Sequence, residues 1–205
     1  PSRVTSTPPL VIAVDGPAAS GKGTIAKALA RHYGLPFMDT GKLYRACGLA
    51  VRLGGQDPYD AEAAAQAARA IDTGLLDDPD LMSALNSDYA SIVSSHPAVR
   101  AALFETQRAF AQQPGGAVLD GRDIGTVIAP DAPAKLFVTA APEVRAMRRY
   151  NELAGRGGDQ TLADVLADIH ARDARDSGRS AAPLVRAADA ALLDTSNLGI
   201  AAAVE

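Results

Sequence analysis

The chain has no tryptophan and a single cysteine, Cys47, among its 205 residues. A lone thiol excludes a disulfide within the chain and a metal site built on several thiolates, and it fits a reducing compartment. Lysine is scarce too, with four against sixteen arginines. Codon bias in an Ala- and Gly-rich protein accounts for much of that ratio. It does not account for the placement, because eight arginines and no lysine fall between Arg145 and Arg186. Planar guanidinium groups suit bidentate recognition of phosphate. No apolar run approaches the roughly 18 residues of a membrane span. No charged-then-apolar signal precedes the first such run, so residues 1–9 are expected to be a short solvated tail and the protein to be cytoplasmic. A net charge of −4 argues against general attraction to nucleic acid or to an anionic membrane. Neither Asn-Lys-x-Asp nor Asp-x-x-Gly occurs, so the marks of a GTP-driven switch are missing.

What is present is a globular composition, 47% hydrophobic and 21% charged, sufficient for one large domain over 10–205. Its organising stretch is Gly16-Pro17-Ala18-Ala19-Ser20-Gly21-Lys22-Gly23-Thr24. This follows the apolar run Leu10 to Val14 and precedes a helix-like run, Ile25 to His32. A glycine-rich strand-to-helix turn can aim successive backbone N–H groups at one anion. The helix behind it adds free donors and the positive end of its dipole. Lys22 would reach the β and γ phosphates, and Thr24 would face Mg²⁺ directly or through water. With Gly and Lys each at roughly 7% of residues, Gly-x4-Gly-Lys arises by accident roughly 0.07 times in such a chain, so the pattern is informative. Gly21-Lys22-Gly23-Thr24-Ile25-Ala26 also fits a dinucleotide-binding pattern, but there the first Gly belongs at the end of the first strand. Gly21 comes well after Val14.

The rest of the chain alternates strand and helix. Leu35 to Met38, Ala117 to Asp120, Ala134 to Ala140 and Ala190 to Asp194 read as strands. Helices are expected over 42–53, 57–70, 81–93 and 98–112, after Pro142, after Thr161 and over 198–204. Asp60 and Ser196 are read as caps, Thr161 with Asp164 as a capping box, and 73–80 as a loop. Without hairpin signals this gives a three-layer α/β/α fold with a five-stranded parallel sheet. Asp120, ending a buried strand opposite the phosphate loop, is a candidate Mg²⁺ ligand. Arg145, Arg148 and Arg149 share a helix face near the loop Gly155 to Gly158, which suggests a cationic flap over phosphates. Arg172, Asp173, Asp176 and Arg179 extend an apolar stripe and should be paired or face a cleft.

A phosphate loop in a small chain favours a small-molecule kinase. A phosphate monoester acceptor, with a second pKa of about 6, needs no general base, so His32, His96 and His170 are read as structural. A hydroxyl acceptor would need a base, with Asp15 or Asp39 as the candidates. A nucleotide-dependent binding protein that hydrolyses ATP slowly is the remaining class.

Four ordered motifs sharpen this. The phosphate loop, Asp39-Thr40-Gly41-Lys42-Leu43-Tyr44-Arg45, Asp120-Gly121-Arg122-Asp123-Ile124-Gly125-Thr126, and Arg172-Asp173 with Asp176 and Arg179 together resemble the bacterial cytidylate kinase family from about Val11 onward. The resemblance implies ATP-dependent, Mg²⁺-dependent phosphorylation of CMP and dCMP by a cytoplasmic monomer. It implies catalytic roles for Lys22, Arg122, Arg149 and Arg172. It implies ATP binding by Gly16 to Thr24 with Arg148 and Arg156. An acceptor pocket would be formed by Thr40, Tyr44, Arg45, Ser91, Arg100, Arg122, Asp123, Asp176 and Arg179. Asp123 would read the cytosine amino group and Asp176 the sugar hydroxyls. The core is expected over 10–53 and 97–205, an acceptor-binding insert over about 54–96, and a mobile lid over about 149–160. The family commonly carries a small antiparallel sheet in that insert. This chain has a short, helix-like stretch instead, which leaves UMP as an alternative acceptor.

Overall fold

The computed structural model describes residues 9–205, so the expected tail lies, apart from Pro9, outside the described residues. Five strands, β1 (Val11–Asp15), β2 (Phe37–Asp39), β3 (Ala117–Gly121), β4 (Ala134–Thr139) and β5 (Ala191–Asp194), form one sheet in the order β2-β3-β1-β4-β5. Every pairing is parallel. The two central strands read as unbroken apolar runs because both their faces are covered. On one face Ile12 and Val14 pack with Ile25, Ala26 and Ala30 of α1 (Lys22–Tyr33). On the other, Ala13 and Leu119 meet Ala111 and Phe104, which belong to a helix described below.

Between α1 and β3 the chain runs through α2 (Thr40–Leu53), α3 (Ala61–Arg69), α4 (Ala84–Val93) and α5 (Pro97–Ala111). Asp60 caps α3 as expected, its carboxylate accepting from the N–H groups of Glu62 and Ala63. The segment 73–80, expected as a loop, forms two short 3₁₀ turns, Thr73–Asp77 and Pro79–Met82, begun by Asp72 and Asp78. No strand occurs over 54–96 among the described residues. Helices α2 and α4 cross closely at Gly48, where a Cβ would stand 2.7 Å from the backbone nitrogen of Ala90.

After β4 come α6 (Pro142–Gly155) and α7 (Leu162–Gly178), whose Ala146, Leu153, Val165 and Ile169 enclose Ala18 of the phosphate loop. The Thr161–Asp164 capping box is formed. One local expectation is corrected. Ser196 does not cap the last helix, α8 (Ile200–Val204), which begins after Gly199. Instead its hydroxyl donates to Asp194 and accepts from the N–H of Ala141, tying the end of β5 to the start of α6. The segment Ile124–Ile128 forms a turn of π-helix that no local pattern announces. Its first two N–H groups, Ile124 and Gly125, donate to the two carboxylate oxygens of Asp15 at 2.9 and 2.8 Å.

Candidate active site

The carboxyl ends of β1, β2 and β3 open into a cavity of about 380 Å³, closed above by α4, α6 and α7. At its near end stands the phosphate loop. Gly16 is required there by packing, since a Cβ would lie 2.0 Å from the Val138 carbonyl of β4. Ala19 is held in the left-handed region at φ 58°, a strain of order 1 kcal/mol for a residue with a Cβ. Gly21 begins α1 with no side-chain cap, and the first turn has no acid. The leading N–H groups of α1 are therefore free for an anion. Behind the loop, Arg148 and Thr195 both donate to the Ser20 carbonyl, at 3.2 and 2.7 Å.

Strand register explains the next feature. Asp39 and Asp120 are partners across β2 and β3, and residues opposite one another point to the same face. Both carboxylates therefore enter the cavity, beside Lys22. Burial, and then Asp39, push the Asp120 carboxyl well above the usual range. Burial, and then Arg122, pull the Lys22 ammonium down. Asp120 Oδ1 is buried with no hydrogen-bond partner. An orphaned oxygen on a crowded carboxylate is a fitting ligand for a hard divalent cation shared with phosphate oxygens and water. The Thr24 hydroxyl lies on the same rim.

Six arginines line the cavity: Arg45, Arg100, Arg122, Arg149, Arg172 and Arg179. At the far end Arg100 donates to Asp123 Oδ2 at 2.6 Å and to the Ser94 carbonyl at 3.1 Å. Its guanidinium lies 5.1 Å from the centre of the Tyr44 ring. In the middle, Asp176 accepts from Arg122 Nε at 2.7 Å and from Arg179 Nη1 at 3.3 Å. Burial opposes ionisation of Asp176, yet Arg122 and Arg179 hold its carboxyl below the usual range. Buried Arg172 Nε and Arg179 Nη2 have no partner, so donors stand ready for an anionic guest.

Thus the cavity gathers Ala18 to Thr24, Thr40, Tyr44, Arg45, Ser91, Arg100, Asp120, Arg122, Asp123, Arg149, Arg172, Asp176 and Arg179. Some residues take other places. Gly16 and Pro17 open the loop but lie outside the lining. Arg148 is bound to Thr195 and Ser20, and Arg156 is half exposed beside Glu152. Arg145, expected on a cationic flap, is buried and paired with Asp173 through two hydrogen bonds of 3.0 and 2.7 Å. It also donates to the carbonyls of Ala140 and Ala18, so it fastens α6 and α7 to the loop. The Thr40 hydroxyl donates to the Asp120 carbonyl at 2.7 Å. Asp15, considered as a base for a hydroxyl acceptor, does not line the cavity. Burial raises its carboxyl to about 6 against the two backbone N–H groups it accepts.

Sequence reasoning passed over Ser87, Ser94 and Thr195. No short pattern marks them: Ser87 and Thr195 work through residues far along the chain, and Ser94 offers Arg100 only its backbone carbonyl. Asp39 was visible as an acid closing a strand; its pairing with Asp120 needed the strand order.

A parallel sheet with this loop at its carboxyl edge, and one crevice walled by guanidiniums, defines a phosphate-loop protein of the kinase class. Comparison with known proteins narrows the class. A family model described as cytidylate kinase matches residues 12–205. A cytidylate kinase of Xanthobacter autotrophicus is 61% identical over 194 residues, covering 95% of this chain and 93% of the relative. A cytidylate kinase of Caulobacter vibrioides is 57% identical over 190 residues, covering 93% and 89%. The chain belongs to the cytidylate kinase family. In overall shape it is similar to the crystal structure of an uncharacterized protein from Eubacterium ventriosum, with a TM-score of 0.52, 15% identity and coverage of 95% and 93%. That similarity concerns the fold alone. No helix among the described residues is long and apolar enough to cross a membrane.

Proposed function

We propose that the protein transfers the γ-phosphate of ATP to CMP or dCMP, giving ADP and CDP or dCDP. The observation that carries the proposal is the buried Arg100–Asp123 pair at the far end of a cavity whose near end is the phosphate loop. Arg100 occupies Asp123 Oδ2 and leaves Oδ1 to accept from the exocyclic amine of cytosine. Uracil presents an acceptor at that position, which faces the carboxylate unfavourably.

The acceptor phosphate is largely a dianion at neutral pH, so one of its oxygens attacks the γ-phosphorus without a base. The bond from that phosphorus to the β–γ bridging oxygen breaks, and ADP leaves with the electron pair. The work of the chain is alignment and neutralisation. Lys22 and the free N–H groups of α1 hold the donor phosphates. Arg45 and Arg122 grip the acceptor phosphate, while Arg149 and Arg172 meet the charge on the transferring group. Asp176 accepts from the sugar hydroxyls. Asp120 and Thr24 would hold Mg²⁺, directly or through water. The ion supplies neutralisation of the β and γ oxygens.

We read residues 149–160 as a lid whose Arg156, with Arg148 just ahead of it, completes the ATP site when it closes. We read the protein as a cytoplasmic monomer working on small nucleotides, its net charge of −4 disfavouring nucleic acid. The test is ADP release with ATP and Mg²⁺ against CMP, dCMP, UMP and AMP in parallel. Turnover with CMP and dCMP, absent without an acceptor, is expected. Equal turnover with UMP would overturn the assignment of base recognition, and acceptor-independent ATP consumption would overturn the kinase reading.

A further inference from the structure

Ser87 lies on α4, 4% exposed, and its hydroxyl is fully committed. It donates to the Ser83 carbonyl at 2.7 Å. It accepts from Arg45 Nη1 at 2.7 Å and from Arg149 Nη2 at 2.8 Å. One donor and two acceptor sites are all that a hydroxyl has. The two guanidiniums it joins come from α2 and α6, and both line the cavity.

Such a meeting is unfavourable without help, because the two groups carry the same charge. Arg45 registers the strain: burial, then Arg172 and Arg149, pull its guanidinium down to about 9. The turn ahead of α4 adds acceptors to both, with the Leu81 carbonyl 3.3 Å from Arg45 Nη1 and the Met82 carbonyl 3.4 Å from Arg149 Nη2. Asn86 braces the arrangement by donating to the carbonyls of Arg45 and Leu81. Every acceptor that this segment offers is neutral; the one carboxylate on the pair, Glu152 at 2.9 Å from Arg149 Nη1, comes from α6 itself. A carboxylate at the position of Ser87 would form charge-assisted bonds and compete with phosphate. A hydroxyl orients both guanidiniums without adding a carboxylate to the one, Glu152, that Arg149 already meets.

We infer that Ser87 is a positioning residue, whose Oγ sets Arg45 and Arg149 in fixed relation so that one meets the acceptor phosphate while the other meets the phosphoryl group in flight. The inference rests on the kinase reading above. It assigns to the segment 81–87 a part in catalysis although none of its side chains is asked to touch the reacting atoms. A serine serving α4 alone would need only its bond to Ser83.

The experiment is steady-state kinetics with ATP and CMP on wild type, Ser87→Ala, Ser87→Thr, Arg149→Ala and the double variant Ser87→Ala/Arg149→Ala. Ser95→Ala, which removes a hydroxyl bonded only to the Ile92 carbonyl on the same helix, is the control. In Ser87→Ala, kcat/KM for CMP is expected to fall on the order of tenfold to a hundredfold. The KM for CMP should rise and kcat fall, while the KM for ATP and the Tm stay near those of Ser95→Ala. Threonine, which keeps the hydroxyl, should restore most of the loss. The double variant should fall below Arg149→Ala by clearly less than the loss in Ser87→Ala alone, since part of the serine's effect runs through that arginine and the rest through Arg45. If Ser87→Ala fails to fold, Ser87→Cys, similar in size but a weak acceptor, carries the same readout. An unchanged KM for CMP in the folded variant, or full additivity with Arg149→Ala, would overturn the inference. Absence of CMP-dependent turnover in the wild type would instead overturn the kinase reading beneath it.

Discussion

The two ends of the cavity are built on opposite plans. The near end is backbone: a strained loop at Ala19 and the uncapped start of α1, with the cation of the loop itself, Lys22, lowered in pKa by burial and by Arg122. From the middle to the far end it is side chain: Arg122 and Arg179 pair with Asp176, and beyond them Arg100 pairs with Asp123. Backbone donors recognise phosphate as such and cannot tell one nucleotide from another. Paired side chains offer a fixed pattern of donors and acceptors, so base and sugar can be told apart there. The comparison teaches that generality and selectivity are separated along about 380 Å³ of one crevice.

The largest effect should come from breaking the near end. Lys22→Ala is expected to lower kcat about a thousandfold, as for loss of one preorganised charge on a transition state, with Lys22→Arg failing to restore it. Rapid-quench turnover at saturating CMP measures this. Next, Gly16→Ala should destabilise the protein by about 3 kcal/mol or more, because the added Cβ meets the Val138 carbonyl of β4. Urea unfolding of the variant gives the value. Breaking the far end should alter choice more than speed. Asp123→Asn, which keeps the shape and offers a donor as well as an acceptor, should cut the ratio of kcat/KM for CMP over UMP about a hundredfold. Competition assays with both nucleotides read that ratio. The smallest effect sharpens the contrast with pairs that serve neither end. Asp80→Ala, breaking the exposed pair with Arg52 at 2.7 Å, should cost less than about 1 kcal/mol in Tm-derived stability and leave kinetics unchanged.

The same division explains what could be seen in the sequence. The phosphate loop is contiguous, so Gly16 to Thr24 announced it, and the apolar runs of β1, β3 and β4 announced the sheet that carries it. The far end depends on contacts across long stretches of chain, and the motif resemblance pointed to Arg100 and Asp123 where spacing alone would not, whereas the extended apolar stripe of α7 had already marked Asp176 and Arg179. Where neither a local run nor a motif existed, the sequence was silent. The π-turn at Ile124–Ile128 is specified by the Asp15 carboxylate, more than a hundred residues earlier. Arg145 looked like a member of a cationic face until Asp173 on α7 closed on it. Ser87 carries no pattern at all; its meaning is that Arg45 and Arg149 arrive from two other helices. Ser196 has the residue type of a cap, but the strand end beside it supplied better partners in Asp194 and Ala141.

Independence of the two ends is the central claim, and calorimetric titration of ATP and of CMP, each alone, into Lys22→Ala and Asp123→Asn tests it most directly. The account predicts a crossed result: Lys22→Ala loses affinity for ATP and keeps that for CMP, and Asp123→Asn does the reverse. Both ligands weakened together in each variant would mean that the crevice works as one undivided site, and would contradict it.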